Sequence, residues 1–311
     1  MTERILILGA LGQIGSELTG ALQKKYGIDN VIATDKRTPE KPLEGIFQQL
    51  DATDKEGLED LIKKYQITQV YHMVAVLSAT AEKIPLKSWD INMQTLFHVL
   101  ELAREKQIKR VFWPSSIAAF GYNTPRENTP QTTIMDPGTV YGISKLAGEL
   151  WCDYYHRQYG VDVRSIRYPG LISYKTQPGG GTTDYAVEIF FEAVKQQKYQ
   201  CYIAKSTTLP MMYMADAIKA TLSIMNAPEE EIQVRTSYNV AAFSFNPEQL
   251  AQTIRQHFPN FKMSYQPDNR DAIAQGWPQS IDDSAAQKDW HWQPDYDLKA
   301  MVKDMLRNIG G

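Results

Sequence analysis

A glycine-rich turn between an apolar strand and a helix constrains the fold of this chain more than any other feature. The apolar run at residues 4–8 leads into Gly9, and Gly12 and Gly15 follow at three-residue steps. Glycines let a backbone approach a phosphate closely, and a helix N-terminus offers free N–H groups and a partial positive charge. The residues after Gly15 have helical spacing up to Gly27, where we expect the helix to end. The pattern predicts a pyrophosphate-binding turn.

Acidic residues at the ends of the next two strands extend this prediction to a dinucleotide. The second strand ends at Asp35, where a carboxylate binds the adenosine ribose hydroxyls and disfavours the extra phosphate of NADP, so we expect NAD. Lys36 and Arg37 follow and weaken that preference, and an acid that serves only solubility is the alternative. Asp51, at the end of the third strand, is placed to accept from the adenine amino group. From these segments we assign to the cofactor Gly9, Gly12, Gln13, Ile14, Gly15, Asp35, Lys36, Arg37, Asp51 and Ala52.

Strand and helix patterns alternate along most of the chain. Apolar strands are predicted at residues 4–8, 30–35, 47–51, 70–75, 110–116 and 161–170. Helical patterns follow at residues 16–26, 54–66 and 88–106. This period predicts an α/β fold, a Rossmann-type doubly wound parallel sheet with ligands at the carboxyl ends of its strands. We expect a dinucleotide-binding domain at residues 1–170, with returning segments near 208–245, and a smaller substrate-binding domain with closing helices at 171–311.

Tyr141 and Lys145 lie four residues apart on a predicted helix that Thr139 would cap. A phenol ionises near pH 10, and a positive charge at about 4 Å with an effective dielectric of about 20 is worth roughly 4 kcal/mol, or about three pKa units. Such a pair can form a general base that works near neutral pH. The spacing alone also occurs by chance on surface helices, so its meaning depends on the neighbouring motifs.

Composition and charge exclude several classes of function. A net charge of −3 and a pI near 6.0 argue against binding to the phosphate backbone of nucleic acids. Cys152 and Cys201 form no disulfide framework, which fits a reducing, cytoplasmic setting. Residues 1–4 run straight into a strand, and we expect neither a targeting signal nor a membrane span. Histidines and cysteines lack ligand spacing, so we expect no metal, and His72 is predicted to be a core residue.

Taken together, these motifs resemble the extended short-chain dehydrogenase/reductase superfamily. The resemblance rests on the glycine turn, Asp35, Asp51, Ser115–Ser116, Tyr141 with Lys145, Arg167–Gly170 and the closing segment at residues 290–298. Within that superfamily, three segments resemble the short-chain type of L-threonine 3-dehydrogenase: Trp113–Gly121, Asp136–Lys145 and the stretch from Arg167 to Ala186 with its glycine-rich loop.

The resemblance implies NAD-dependent oxidation of the hydroxyl of L-threonine to L-2-amino-3-oxobutanoate. Tyr141 would be the general base, its pKa lowered by Lys145 and by the cationic nicotinamide, and Lys145 would also hold the nicotinamide ribose. A serine hydroxyl would stabilise the reacting oxygen. Counting back from Gly121 favours Ser116, the threonine dehydrogenase pattern also implicates Ser115, and one of the two is expected to cap the following turn.

The remaining site residues are assigned through the same resemblance. The cofactor set gains Val74, Ala75, Tyr141, Lys145 and Tyr168. The substrate set is Ser78, Ser115, Tyr141, Gly181, Thr182, Thr183, Asp184 and Trp277. Asp184 is the expected partner of the substrate ammonium, with an ordinary helix-start acid as the alternative. Trp277 would close the pocket, or would be buried packing.

Two other functions and one assembly remain open from the sequence. A nucleotide-sugar epimerase or dehydratase would need basic residues for a diphosphate, and residues 170–204 offer only Lys175, Lys195 and Lys198. A non-catalytic NAD sensor would not need a general base formed by Tyr141 and Lys145. Related proteins commonly form homodimers through a four-helix bundle, for which the apolar candidates are Leu96, Phe97, Leu100, Trp151, Tyr154 and Tyr155.

Overall fold

The computed structural model describes residues 3–176 and 179–310, so Pro178 of the glycine-rich loop lies outside the described residues. The strands are β1 (Ile5–Leu8), β2 (Val31–Asp35), β3 (Ile46–Gln49), β4 (Gln69–His72), β5 (Arg110–Ser116), β6 (Asp162–Tyr168), β7 (Gly170–Ile172), β8 (Lys198–Cys201), β9 (Leu209–Tyr213), β10 (Tyr238–Asn239), β11 (Phe243–Phe245) and β12 (Lys262–Tyr265). The helices are α1 (Gln13–Tyr26), α2 (Lys55–Tyr65), α3 (Ser78–Ala81), α4 (Pro85–Arg104), α5 (Val140–Tyr159), α6 (Tyr185–Gln196), α7 (Met214–Asn226), α8 (Pro247–Arg255), α9 (Asn269–Gln275), α10 (Ser284–Trp290) and α11 (Leu298–Gly310).

Seven parallel strands form the central sheet, in the order β10-β6-β5-β4-β1-β2-β3. The order reverses between β1 and β4, which is where open α/β sheets bind ligands. Strands β1 and β2 are buried throughout, as expected for a sheet covered on both faces. The predicted Rossmann-type α/β fold is confirmed.

Helix ends follow the local sequence signals. Gly27 ends α1 with φ of 90° and an N–H bond to the carbonyl of Gln23. Thr139 accepts from the N–H of Gly142 and so fixes the start of α5 just before Tyr141. Asn246 caps α8 through a reciprocal capping box with Gln249.

The segment after the fourth strand differs from its prediction. β4 ends at His72 rather than Ala75, because the chain leaves the sheet beside the glycine turn, where the Met73 N–H donates to the carbonyl of Leu8. The short helix α3 follows, and α4 begins at Pro85, earlier than predicted, since proline is well suited to the first turn of a helix. The strand therefore ends three residues before the apolar run does.

Two small sheets complete the fold, a three-stranded sheet in the order β11-β9-β7 and the parallel pair β12-β8. Helices α6, α8 and α11 share a hydrophobic core with them. The division into two domains near residue 170 stays a prediction. Across residues 3–176 and 179–310, every helix is too short or too polar to pass through a bilayer.

Candidate active site

The glycine turn has a geometry that side chains would block. Gly9 has φ of +84°, and the N–H of Gly12 donates to its carbonyl over 3.1 Å. A Cβ on Gly15 would lie 2.2 Å from the carbonyl oxygen of Gly9. The start of α1 is therefore pressed directly onto the turn, with its free N–H groups at the carboxyl end of β1. This backbone fits the pyrophosphate of a dinucleotide.

Asp35 lies at the end of β2, beside that turn. Its carboxylate accepts from the N–H of Leu11 at 3.1 Å and from the backbone and guanidinium of Arg37 at 3.0 Å. Burial acts to raise the pKa of Asp35, but the hydrogen bonds from Arg37 and Leu11 outweigh it and hold that pKa below its usual value. The carboxylate is thus ionised where ribose hydroxyls would be bound. Asp51, in contrast, is exposed, and its carboxylate is engaged with Thr53.

Helix α5 brings Tyr141 and Lys145 against the end of β5. Lys145 is 3% exposed, and its Nζ donates to the carbonyl of Pro114 over 2.6 Å. The same nitrogen lies 4.5 Å from the centre of the Trp113 ring and 5.5 Å from that of Tyr141. Burial lowers the pKa of Lys145 to about 7, and the carboxylate of Glu149 acts in the opposite direction. The ammonium therefore titrates close to neutral pH.

The lowering of the Tyr141 pKa expected from Lys145 alone is not found, while the part assigned to the cationic nicotinamide stays a prediction. Burial raises the pKa of Tyr141 to about 12, and only the hydroxyl of Ser116 acts to lower it. Coulombic stabilisation by a lysine at this distance does not overcome removal of the phenolate from water. Ionisation of Tyr141 at neutral pH therefore requires further positive charge in the cavity.

The two serines have different partners. Ser115 is buried and its Oγ donates to the Glu149 carboxylate over 2.5 Å, away from Tyr141. Ser116 accepts from the N–H of Ala118 at 3.2 Å, which caps the turn after β5, and its hydroxyl also interacts with Tyr141. The expectation that one of the two serines caps the following turn is confirmed for Ser116, whose hydroxyl also lies beside Tyr141. The choice between Ser115 and Ser116 as the catalytic hydroxyl stays a prediction.

One cavity collects most of the predicted site. Its lining contains the predicted residues Gln13, Ile14, Ala75, Ser78, Ser115, Ser116, Tyr141, Lys145, Tyr168, Gly181, Thr182, Thr183, Asp184 and Trp277. The hydroxyl of Tyr168, however, is bonded to Thr221. The other cofactor candidates lie outside this lining, at or near the carboxyl ends of β1 to β4: Gly9, Gly12, Gly15, Asp35, Lys36, Arg37, Asp51, Ala52 and Val74.

The glycine-rich loop reaches the wall of this cavity. The hydroxyls of Ser78 and Thr182 lie 3.5 Å apart, which joins the segment after β4 to the loop before α6. Asp184 Oδ2 accepts from the N–H groups of Gly180 and Gly181 at 2.8 and 2.6 Å. Burial raises the pKa of Asp184, and these two hydrogen bonds oppose the rise. Trp277, 7% exposed, forms part of the same lining.

Sequence reasoning assigned no role in the site to three residues that build it. Asn92 accepts from the N–H of Val76 over 2.7 Å and donates to Ser144, so it ties the segment after β4 to α5. Glu149 and Arg167 form a buried ion pair at 2.7 Å beside Ser115. Glu149 could have been found, because it repeats the four-residue spacing of Tyr141 and Lys145; nothing in the sequence singles out Asn92.

Within the described ranges, no group of three or more histidine, cysteine or acidic side chains is placed to hold a metal ion. His72 is buried in the core at 1% exposure, and burial lowers its pKa to about 4. Cys152 and Cys201 are both buried and free.

Comparison with known proteins gives consistent matches over the whole chain. The sequence model of the NAD dependent epimerase/dehydratase family matches residues 5–241. A curated relative from Staphylococcus haemolyticus (strain JCSC1435), named an uncharacterized epimerase/dehydratase, is 50% identical over 311 residues, which cover 99% of this chain and 98% of the relative.

Two solved structures agree with this chain in both sequence and fold. A GalE-like L-threonine dehydrogenase from Cupriavidus necator in its holo form is 56% identical with a TM-score of 0.97, over 98% of this chain and 99% of that chain. A monomeric L-threonine 3-dehydrogenase from a metagenome database is 47% identical with a TM-score of 0.95, over 98% of each chain. The membership expected from the motifs is confirmed: the chain belongs to the NAD dependent epimerase/dehydratase family, whose enzymes use an NAD-type cofactor.

Proposed function

We propose that this protein is an NAD-dependent dehydrogenase that oxidises L-threonine at its hydroxyl carbon to L-2-amino-3-oxobutanoate. The observation that carries the proposal is a single cavity lined both by Tyr141, Lys145 and Ser116 and by the polar loop at residues 181–184. The first group suits oxidation of an alcohol, and the second suits a small zwitterion. Similar solved structures named L-threonine dehydrogenases support the same substrate.

Three side chains carry the proton chemistry. Tyr141 removes the proton of the substrate hydroxyl, and Ser116 donates a hydrogen bond to the oxygen on which negative charge develops. Lys145 stabilises the phenolate, and its ammonium is held in place by the carbonyl of Pro114. The hydroxyl oxygen loses its proton to Tyr141, and the carbon that bears it would lose a hydride to the bound cofactor, so that the alcohol becomes a ketone. Bound NAD⁺ supplies the hydride acceptor and a positive charge near Tyr141.

The cofactor has a set of residues that fits its parts. The turn from Gly9 to Gly15 would hold the pyrophosphate, since a Cβ on Gly15 would fill the space at the carbonyl of Gly9. Asp35 would bind the adenosine ribose and favour NAD over NADP. Asp51 and Ala52 would face the adenine. Lys36 and Arg37 would lie at the rim of the adenine site. Val74, Ala75, Lys145 and Tyr168 would surround the nicotinamide end.

Substrate recognition falls to the loop and its neighbours. The hydroxyls of Ser78, Thr182 and Thr183 and the backbone of Gly181 would bind the carboxylate. Asp184 would balance the ammonium. Burial raises the pKa of its carboxyl, and a bound cation beside it would favour the ionised form. Trp277 would exclude water from the end of the cavity.

The principal alternative is a nucleotide-sugar epimerase or dehydratase of the same family. A diphosphate needs cations, and Lys145 is the sole basic side chain in the lining formed by the described residues. A non-catalytic NAD sensor has less support, because it would have no use for a base beside Ser116. An assay with L-threonine and a nucleotide sugar distinguishes the proposed function from both alternatives.

Assembly as a cytoplasmic homodimer is part of the proposal. Leu96 and Leu100 of the candidate face belong to the core, and Tyr155 is 7% exposed. Trp151 and Tyr154 remain 39% and 41% exposed, and Phe97 packs edge-on against Trp151 at 5.0 Å. These side chains on α4 and α5 offer an apolar face to a second copy. Two free, buried cysteines fit a reducing compartment.

The proposal is tested by following NADH formation with the purified protein, NAD and L-threonine. L-serine and L-allo-threonine probe the breadth of the site, and UDP-glucose probes the alternative. We expect NADH with L-threonine and none for Tyr141→Phe, which should still bind NAD. Conversion of UDP-glucose without oxidation of L-threonine would refute the assignment.

A further inference from the structure

Helix α5 carries a third polar residue in series with its two catalytic candidates. Tyr141, Lys145 and Glu149 are spaced by four residues and lie along the face that packs against β5 and β6. The proposed chemistry uses the first two. Glu149 is only 1% exposed, and a buried carboxylate is costly unless it is paired and hydrogen-bonded. A buried carboxylate at this position therefore calls for an explanation.

The Glu149 carboxylate is bound from both neighbouring strands. From β5, Ser115 Oγ donates to Oε1 over 2.5 Å. From β6, Arg167 donates through Nε to Oε1 at 2.9 Å and through Nη2 to Oε2 at 2.7 Å. Arg167 is itself 3% exposed and donates through Nη1 to Asn239 on β10 and to the carbonyl of Gln131. The Glu149–Arg167 pair therefore joins α5 to three strands of the central sheet.

The same carboxylate is the nearest negative charge along α5 to the Lys145 ammonium. Lys145 otherwise faces the carbonyl of Pro114 and the ring of Trp113. Two other titratable groups in its surroundings are neutral: burial keeps the pKa of the Cys152 thiol well above its usual range and that of His72 at about 4. Arg167 is positive and by itself would favour deprotonation of the Lys145 ammonium, but its charge is compensated by Glu149.

We propose that Glu149 is a positioning residue with two effects on the active site. Through Ser115 and Arg167 it fixes α5 against β5 and β6, and its charge keeps the Lys145 ammonium protonated beside Tyr141. The inference rests on the proposed dehydrogenase function, because it assigns Glu149 a role through Lys145 and Tyr141.

The test is the pH dependence of kcat for Glu149→Gln. Loss of the negative charge favours deprotonation of both Tyr141 and Lys145, so both limbs of the profile should move to lower pH by about one unit. Glu149→Asp keeps the charge and should leave the limbs in place while kcat falls through altered position. Glu101→Gln is the control. Like Glu149, Glu101 accepts from a hydroxyl group, that of Tyr155 on α5, and pairs with an arginine, but it lies outside the cavity. Unmoved limbs in Glu149→Gln would overturn the proposal.

A measurement without substrate separates this inference from the proposed function. NADH fluorescence gives the pH at which binding weakens as Lys145 loses its proton, and this pH should also fall by about one unit in Glu149→Gln. If the wild-type protein does not oxidise L-threonine, the proposed function fails while the NADH titration still decides the role of Glu149. If Glu149→Gln does not fold, Arg167→Gln replaces it in both measurements. It leaves the negative charge of Glu149 unopposed, so the limbs of the profile and the pH at which NADH binding weakens should move to higher pH, and unmoved values would overturn the proposal.

Discussion

The hydroxyl of Ser115 donates to the buried carboxylate of Glu149 over 2.5 Å. This bond commits Ser115 to the packing of α5 on the sheet, although the residue borders the cavity. Ser116, one position later on the strand, has its hydroxyl beside Tyr141. Alternation along a strand turns adjacent side chains to opposite faces, so a serine pair at a strand end cannot supply two equivalent groups to one site.

We therefore expect Ser116→Ala and Ser115→Ala to differ in kind. Ser116→Ala removes a donor to the reacting oxygen and should lower kcat by about 10²–10³-fold. Ser115→Ala should lower kcat by less than about tenfold, and it should reduce the free energy of unfolding by about 1.5–3 kcal/mol, since it removes a buried hydrogen bond to a charged group. Steady-state kinetics and denaturant titration of both variants check this pair. A larger kcat loss in Ser115→Ala would assign the reacting oxygen to Ser115 instead.

Gly15 and Gly20 offer a matched test of the phosphate turn. Both lie on α1, but a Cβ on Gly15 would meet the carbonyl of Gly9 at 2.2 Å, whereas one on Gly20 would meet nothing within 4 Å. Gly15→Ala should raise the Kd for NADH more than tenfold, because α1 must move away from the turn. Gly20→Ala should leave that Kd unchanged and stabilise the fold by about 0.5–1 kcal/mol, the usual gain of alanine over glycine in a helix. Equal NADH affinities in the two variants would show that the turn does not hold the pyrophosphate.

Asp35 should set the preference for NAD over NADP. Asp35→Ser removes the charged acceptor for the ribose hydroxyls and frees Arg37, which now pairs with the carboxylate at 3.0 Å. We expect the Kd for NAD to rise about 10–150-fold, the equivalent of one hydrogen bond to a charged group, and the affinity for NADP to increase. Asp51→Asn serves as the control, because it should not change the ratio of the two affinities. Titration calorimetry with both cofactors gives that ratio directly.

The order of elements was readable from the sequence because strands buried on both faces appear as continuous apolar runs. Gly27, Thr139 and Asn246 ended or began their helices as their local chemistry requires. The fourth strand was overextended by three residues, since Met73 to Ala75 are apolar for a different reason: they border the glycine turn and the cavity. An apolar run does not distinguish a strand from the wall of a site.

Properties set by tertiary burial were not readable in the same way. The sign of the Tyr141 pKa shift depends on how far the phenol is removed from water, which four-residue spacing does not reveal. Likewise, the partner of Ser115 comes from 34 positions along the chain, and that of Arg167 from 18. Sequence motifs predicted which residues belong to the site, whereas tertiary packing determines which of them contact one another.

An ion cluster at the opposite end of the sheet should account for part of the acid stability. Asp162 is bound by Arg110, Arg164 and Arg235 at 2.6 to 3.0 Å. Burial acts to raise the pKa of Asp162, but the hydrogen bonds from Arg164 and Arg110 hold it below its usual value. Its contribution is therefore complete above the unfolded-state pKa of about 3.9 and is lost as the pH falls through the lower folded-state pKa.

Asp162→Asn should lower the free energy of unfolding at pH 7 by roughly 3–5 kcal/mol, because three guanidinium groups lose their shared counter-ion. The loss should shrink as the pH falls below the unfolded-state pKa of about 3.9 and through the lower folded-state pKa, where the wild-type carboxylate also becomes protonated. Urea titrations at pH 7 and pH 3 measure both numbers. Asp60→Asn, at an exposed position on α2, should change stability by less than about 0.5 kcal/mol. A pH-independent difference between wild type and Asp162→Asn would contradict the assignment to charge.

The apolar face of α4 and α5 should determine the oligomeric state. Leu150, which precedes Trp151 on α5, is 57% exposed, and burying it against a second copy would remove apolar area from water. Leu150→Glu would place a charge in the dimer interface and should convert the dimer to a monomer at micromolar concentration. Ile134→Glu is the control, because Ile134 is equally exposed, at 61%, but lies outside both helices. Sedimentation velocity of the three proteins decides the matter, and a wild-type protein that sediments as a monomer would refute the interface.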